Sequence, residues 1–128
     1  MLKTLRNKKG VTLVELLAVI VILGIIAAIA VPTIGGLIDR QRLNAAEAEF
    51  DNAVEAARLY FSDESATTVT ADTLFNENYL SADPFKAGVL FTISGNVITA
   101  APDGGATSIE IGDYTIDGTT GEATLTTP

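Results

Sequence analysis

The sequence predicts an α+β chain. A long N-terminal helix, its first half transmembrane and its second half packed on a head, is followed by a small antiparallel β-sheet of about four to five strands. Three patterns predict this. Residues 16–38 form a run of 23 uncharged, mostly aliphatic residues, and about 20 suffice for a helix to cross the hydrocarbon core. Beyond them Leu43, Ala46, Phe50, Ala53, Ala57 and Tyr60 recur at helical spacing, which gives one apolar stripe. From Val89 onward the period changes to two, the signature of strands.

The charge is split along the chain. Net charge is -8 over 128 residues. Lys3, Arg6, Lys8 and Lys9 lie in the first ten residues, without an acid, and the remainder holds all 16 acids against Arg40, Arg42, Arg58 and Lys86. An acidic body repels phosphates, so no direct nucleic-acid binding is expected; that would need clustered Lys or Arg. Cysteine and histidine are absent. This excludes disulfides, thiol nucleophiles, His-based triads and most zinc sites. The length allows one domain and an anchor.

The first half of the helix admits three readings. Basic residues precede the apolar run, so the N-terminus lies in the cytoplasm and the body outside. A secretory signal could end at Ala28-Ile29-Ala30, a small-x-small site, but apolar residues continue to Ile38 and Pro32 follows closely. A plain anchor explains the hydropathy but neither Gly10 nor Glu15. The third reading rests on Lys8-Lys9-Gly10 followed by Val11-Thr12-Leu13-Val14-Glu15-Leu16-Leu17. This resembles the class III signal of type IV pilins and pseudopilins, with one departure: Val11 stands where that family usually has Phe.

The resemblance implies that a prepilin peptidase cuts between Gly10 and Val11 and methylates the Val11 amine. Residues 1–10 are then a leader, 11–38 a transmembrane and filament-core helix, and 39–128 an extracytoplasmic head. It implies a homo-oligomeric helical filament built by an assembly ATPase and a membrane platform protein. The subunit sits first in the cytoplasmic membrane as a single pass, N-terminus in, and then in an extracellular filament at the cell surface. Subunit assembly falls to Glu15 and Thr12. Glu15 has a physical argument as well: a carboxylate at the membrane end of an apolar helix costs a few kcal/mol unless partnered. The nearest cation in the mature chain is the Val11 amine, which a neighbouring copy presents better than the same helix does.

Pro32, Gly35 and Gly36 mark a kink or a locally melting stretch, because Pro32 lacks the N–H that would reach Ala28. Small residues there also suit close helix packing in lipid. One helix over residues 11–61 would be roughly 75 Å long. Val54 and Phe61 widen the stripe, while Glu47, Asp51, Glu55 and Arg58 lie away from it. This half of the helix is expected to end near Ser62-Asp63.

Residues 62–72 read as a polar, Thr-rich loop. Residues 72–80 read as a short helix with Asp72 as N-cap and Leu74, Phe75, Tyr79 and Leu80 buried. Ser81-Ala82-Asp83-Pro84-Phe85 is a turn, and its Asp-Pro-aromatic sequence resembles the helix-to-sheet loop of many pilins, Gram-positive ones especially. Residues 88–127 hold the sheet: a hairpin over Gly95-Asn96, then strands at Ser108-Ile109-Glu110-Ile111, at Tyr114-Thr115-Ile116-Asp117 and after Gly121. So small a head needs the helix stripe to complete its core. Asp103, Asp113, Asp117 and Glu122 lie in or beside glycine-containing loops, but their spacing fits no EF-hand and Asp-Gly is an ordinary turn signal. No metal, cofactor or catalytic residue is expected. The function expected is a pilin that serves adhesion, motility, DNA uptake or secretion. The alternative is an anchored or secreted binding module whose N-terminus is only a tether or signal.

Overall fold

The computed structural model describes the backbone of residues 2–105 and 108–126, and the side chains of 10–104 and 108–126. The side chains of Lys3, Arg6, Lys8 and Lys9, and Thr127 at the end of the expected sheet, lie outside the described residues. The chain divides into two units, Met1–Asp39 and Arg40–Pro128. One helix, α1 (Leu2–Asp63), supplies the whole described backbone of the first unit and opens the second. It is helical at every residue through Pro32, Gly35 and Gly36, and it ends where the periodic pattern gives way to Ser, Asp and Glu.

Six strands follow among the described residues. They are β1 (Thr68–Thr70), β2 (Val89–Ser94), β3 (Val97–Pro102), β4 (Ile109–Ile111), β5 (Tyr114–Ile116) and β6 (Ala123–Leu125), with a short helix α2 (Ala71–Asn76) after β1. The α+β class and the long helix are as expected, but the strands form two antiparallel three-stranded sheets, β1-β2-β3 and β4-β5-β6, rather than one. Backbone contacts join them. Ala100 N donates to Gly118 O at 2.9 Å and Lys86 N to Glu110 O at 3.1 Å, while Phe85 bridges Ile111. The close approach at Gly118 is tight enough that a Cβ there would lie 1.9 Å from Ala100 O.

The core of the second unit joins the helix stripe to one face of each sheet. Ala46, Phe50, Ala53, Ala56 and Ala57 from α1 are buried with Val69, Val89, Phe91, Ile98, Ile109, Ile111, Ile116 and Ala123. In the sheets the buried residues alternate with exposed or half-buried ones, as the pleat requires. Alanines on the helix let the sheets approach its backbone closely. Gly121 does the same from the other side. It takes φ +76°, which glycine adopts without strain, and a Cβ on it would lie 3.3 Å from the Phe50 ring.

Three expectations are corrected. Residues 62–72 are not all loop, because Thr68–Thr70 pairs with β2 and buries Val69; β-branched residues favour that pairing. The short helix is Ala71–Asn76, and Thr70 rather than Asp72 caps it, its hydroxyl accepting from Thr73 N. Phe75 is exposed rather than buried. Beside these, Glu47, off the stripe, accepts the Ala123 N–H on its carboxylate at 3.0 Å, which fastens β6 to α1.

Candidate processing and assembly site

Residues 10–38 form one face-independent apolar surface. Every large aliphatic side chain from Val11 to Ile38 is exposed, from 42% at Ile38 to 68% at Leu13 and Val31. A surface of that kind is not left to water, and α1 is long and apolar enough to cross a membrane. At its start Gly10 is exposed, with nothing within 4 Å of where a Cβ would stand. Val11, Thr12 and Glu15 are exposed as well. Val11 and Glu15 are four residues apart and so share a face of α1.

Gly24, Gly35 and Gly36 have nothing within 4 Å of their Cβ positions. The first unit therefore needs none of them as glycine for its own packing, although each costs the helix about 1 kcal/mol relative to Ala. Pro32 deprives the Ala28 carbonyl of its usual donor. Next to it, the Thr33 hydroxyl donates to Ile29 O at 3.0 Å, which satisfies that hydroxyl inside the helix, as lipid demands. Thr33 was not singled out in the sequence, although a hydroxyl beside a mid-helix proline was the available signal.

Gly10, Val11, Thr12 and Glu15 thus gather at one end of the apolar segment, whereas Pro32, Gly35 and Gly36 lie near the other. No chemistry joins the two groups. In the second unit one of the loop acids, Asp117, is engaged in its own turn. Asp117 Oδ1 accepts from Thr119 N at 2.8 Å and Thr120 N at 2.9 Å. These backbone donors, Thr120 first, hold its carboxyl below the ordinary value. Among the described residues, no group of three or more His, Cys, Asp or Glu could hold a metal ion.

The family model described as the prokaryotic N-terminal methylation motif matches residues 5–31. No curated protein and no solved structure matches the chain. The matched segment spans Gly10, Val11, Thr12 and Glu15 and most of the apolar run, and such a motif points to a structural protein. Residues 5–31 carry the class III signal of the type IV pilins and pseudopilins, and this motif supports a type IV pilin-like precursor processed at its N-terminus.

Proposed function

We propose that this chain is the structural subunit of a type IV filament. It inserts through residues 11–38, is cut after Gly10 by a prepilin peptidase, is methylated on the Val11 amine, and polymerises through its apolar helix. The observation that carries the reading is that the matched motif sets Gly10 directly before an apolar stretch of α1 whose large aliphatic side chains, from Val11 to Ile38, are all exposed. Cleavage there removes the basic leader and leaves the helix in the mature protein. A lone anchor would use the apolar surface equally well. It gives no reason for Glu15 in that surface, or for three glycines whose side-chain space is empty within the chain.

In a filament these features have uses. Copies of the helix bury one another's aliphatic surface, so the surface leaves lipid without entering water. Glycines allow helix backbones to approach. Glu15 takes the Val11 amine of a neighbouring copy and sets its register, with Thr12 beside it. The weak point at Pro32, with Gly35 and Gly36 close by, lets the helix adjust as it packs. The acidic heads face outward and keep filaments apart. An assembly ATPase and a membrane platform extract the subunit from the cytoplasmic membrane to the cell surface.

Mass spectrometry of the mature N-terminus tests this reading. A start at Val11 carrying one methyl, from protein recovered in sheared filaments, is the expected result. A start at Val31 means ordinary secretion, an intact Met1 means a plain anchor, and either overturns the proposal.

A further inference from the structure

Arg40 and Arg42 have no part in the core or in processing. Both are exposed on α1, directly after the apolar stretch that ends at Ile38. Arg40 has no acid three or four residues away on either side, since those positions are Gly36, Leu37, Leu43 and Asn44. Asp39 stands three residues before Arg42, a spacing at which helical ion pairs form, yet the two do not pair. Among the described residues the ion pair is Arg58 with Glu55, at 3.3 Å. Two guanidinium groups thus stand without a carboxylate at the start of a strongly acidic unit.

The apolar stretch sets their level. Glu15 and Asp39 bound it, and both belong to the first unit. The step from Glu15 to Asp39 is about 36 Å at the α-helical rise. That exceeds the hydrocarbon core, about 30 Å, and falls short of the full bilayer with its headgroups, about 40–45 Å. A span with Glu15 in one headgroup layer therefore brings Asp39 into the other, and Arg40 and Arg42 follow at once. Cα–Cβ bonds of a helix lean towards its N-terminus, so both side chains start back in the direction of the apolar stretch. Arginine lays its aliphatic stem along such a surface and keeps its charge among the headgroups.

The chemistry selects phosphate. A guanidinium grips a phosphate through paired N–H donors. From Leu43 onward the acids of the chain face only Arg58 and Lys86, and such a surface is repelled by phosphates. The arginines supply the attraction where the chain leaves the span. Their placement also favours lipid over a second copy of the chain. Residues two apart on a helix do not share a face. One neighbouring helix covers one side of α1, whereas headgroups ring it, so lipid serves both arginines at once.

We propose that Arg40 and Arg42 form a headgroup anchor, each binding the phosphate of a phospholipid in the leaflet on the head's side. The proposal rests on the membrane insertion proposed for residues 11–38 and is independent of filament formation.

The test uses the full chain carrying Arg6→Lys, which keeps the leader's charge and leaves Arg40, Arg42 and Arg58 as its arginines. With the guanidinium carbons labelled, ¹³C–³¹P dephasing in solid-state NMR reads contact with phosphate in vesicles of phosphatidylglycerol and phosphatidylcholine. Dephasing is expected in this chain, weakened in Arg40→Gln and in Arg42→Gln, and lost in the double variant. Arg58→Gln should leave it unchanged. Circular dichroism should stay the same throughout, since neither arginine belongs to the core. In phosphate-free detergent, inorganic phosphate should give no dephasing. Absence of dephasing in vesicles, equal dephasing in the double variant, or dephasing by inorganic phosphate in place of lipid overturns the proposal. Loss of filaments in a double variant whose lipid contact is unchanged would instead assign the pair to acids of a neighbouring copy. A chain that fails to float with the vesicles sinks this proposal and membrane insertion together, whereas phosphate contact without filaments sinks only the pilin reading.

Discussion

The backbone N–H of Ala123 donates to Glu47 Oε1 at 3.0 Å, across 76 residues of sequence. Ala123 opens β6, an outer strand of the second sheet, and Glu47 projects from α1. One carboxylate thus clips the last strand to the helix at a site where Ala123 is only 8% exposed. Truncation leaves a nearly buried N–H without its acceptor. Glu47→Ala should cost about 1–3 kcal/mol, read as a lower melting temperature of the full chain in detergent. Glu47→Gln keeps an acceptor oxygen and should recover most of that loss. Equal stability of the two variants would show that the contact contributes nothing.

A second prediction compares two glycines. At Gly118 a Cβ would lie 1.9 Å from Ala100 O and 2.9 Å from Ile109 Cδ1, where the two sheets meet through the Ala100 N–H. Gly118→Ala must part the sheets and lose that bond. The cost should reach about 3 kcal/mol, the upper range for overpacking. Gly95 in the hairpin turn takes φ +63° but has open space around it, so Gly95→Ala should cost only about 1–2 kcal/mol of backbone strain. Denaturant unfolding of both variants decides the order, and the reverse order would contradict this account of the sheet junction.

The sequence made the helix and its stripe visible because burial follows local period there: Ala46, Phe50, Ala53 and Ala57 are buried as their spacing requires. Ala56, also buried, carries no such signal, since an alanine off the stripe reads the same whether buried or exposed. β1 was hidden for a different reason. Three residues among threonines become a strand only through pairing with β2, some twenty residues away, and nothing local announces that partner. Division into two sheets is likewise a matter of which edges meet, as at Ala100 and Gly118. The processing motif was fully readable because it is linear: the peptidase reads consecutive residues, so folding adds little beyond showing Gly10 exposed.

Acid should act on the Asp117 turn. Its carboxyl is held below the ordinary value of 3.8 by the Thr120 and Thr119 N–H groups. Since the folded form has the lower pKa, the contribution is present above the unfolded value and is lost as pH falls through the folded one. Carboxyl ¹³C NMR should find Asp117 titrating below pH 3.8. Asp117→Asn keeps the acceptor oxygen without the charge, so its turn should lose this acid sensitivity. Titration of Asp117 at or above the ordinary value would remove the hydrogen-bond explanation.

The most consequential prediction concerns Glu15. It shares a helix face with Val11 in a segment whose other large side chains are aliphatic and exposed. As a monomer in lipid, the chain bears a cost of a few kcal/mol for this carboxylate, so Glu15→Ala should insert at least as well as the parent. Cleavage after Gly10 should proceed, because the peptidase's glycine and the residues flanking it are untouched. Filament yield should nonetheless fall by about tenfold or more, the effect of losing an ion pair worth some 1.4 kcal/mol or more at each step of assembly. Three measurements on the same cells separate the causes: membrane content for insertion, N-terminal mass for cleavage and methylation, and sheared filament for assembly. A drop in all three would place Glu15 in recognition by the processing enzyme. A drop in filament alone supports pairing with the neighbour's amine, because the variant has become easier to keep in the membrane and harder to build into a polymer. Normal filament yield would leave Glu15 a tolerated charge at the membrane edge, with no part in assembly.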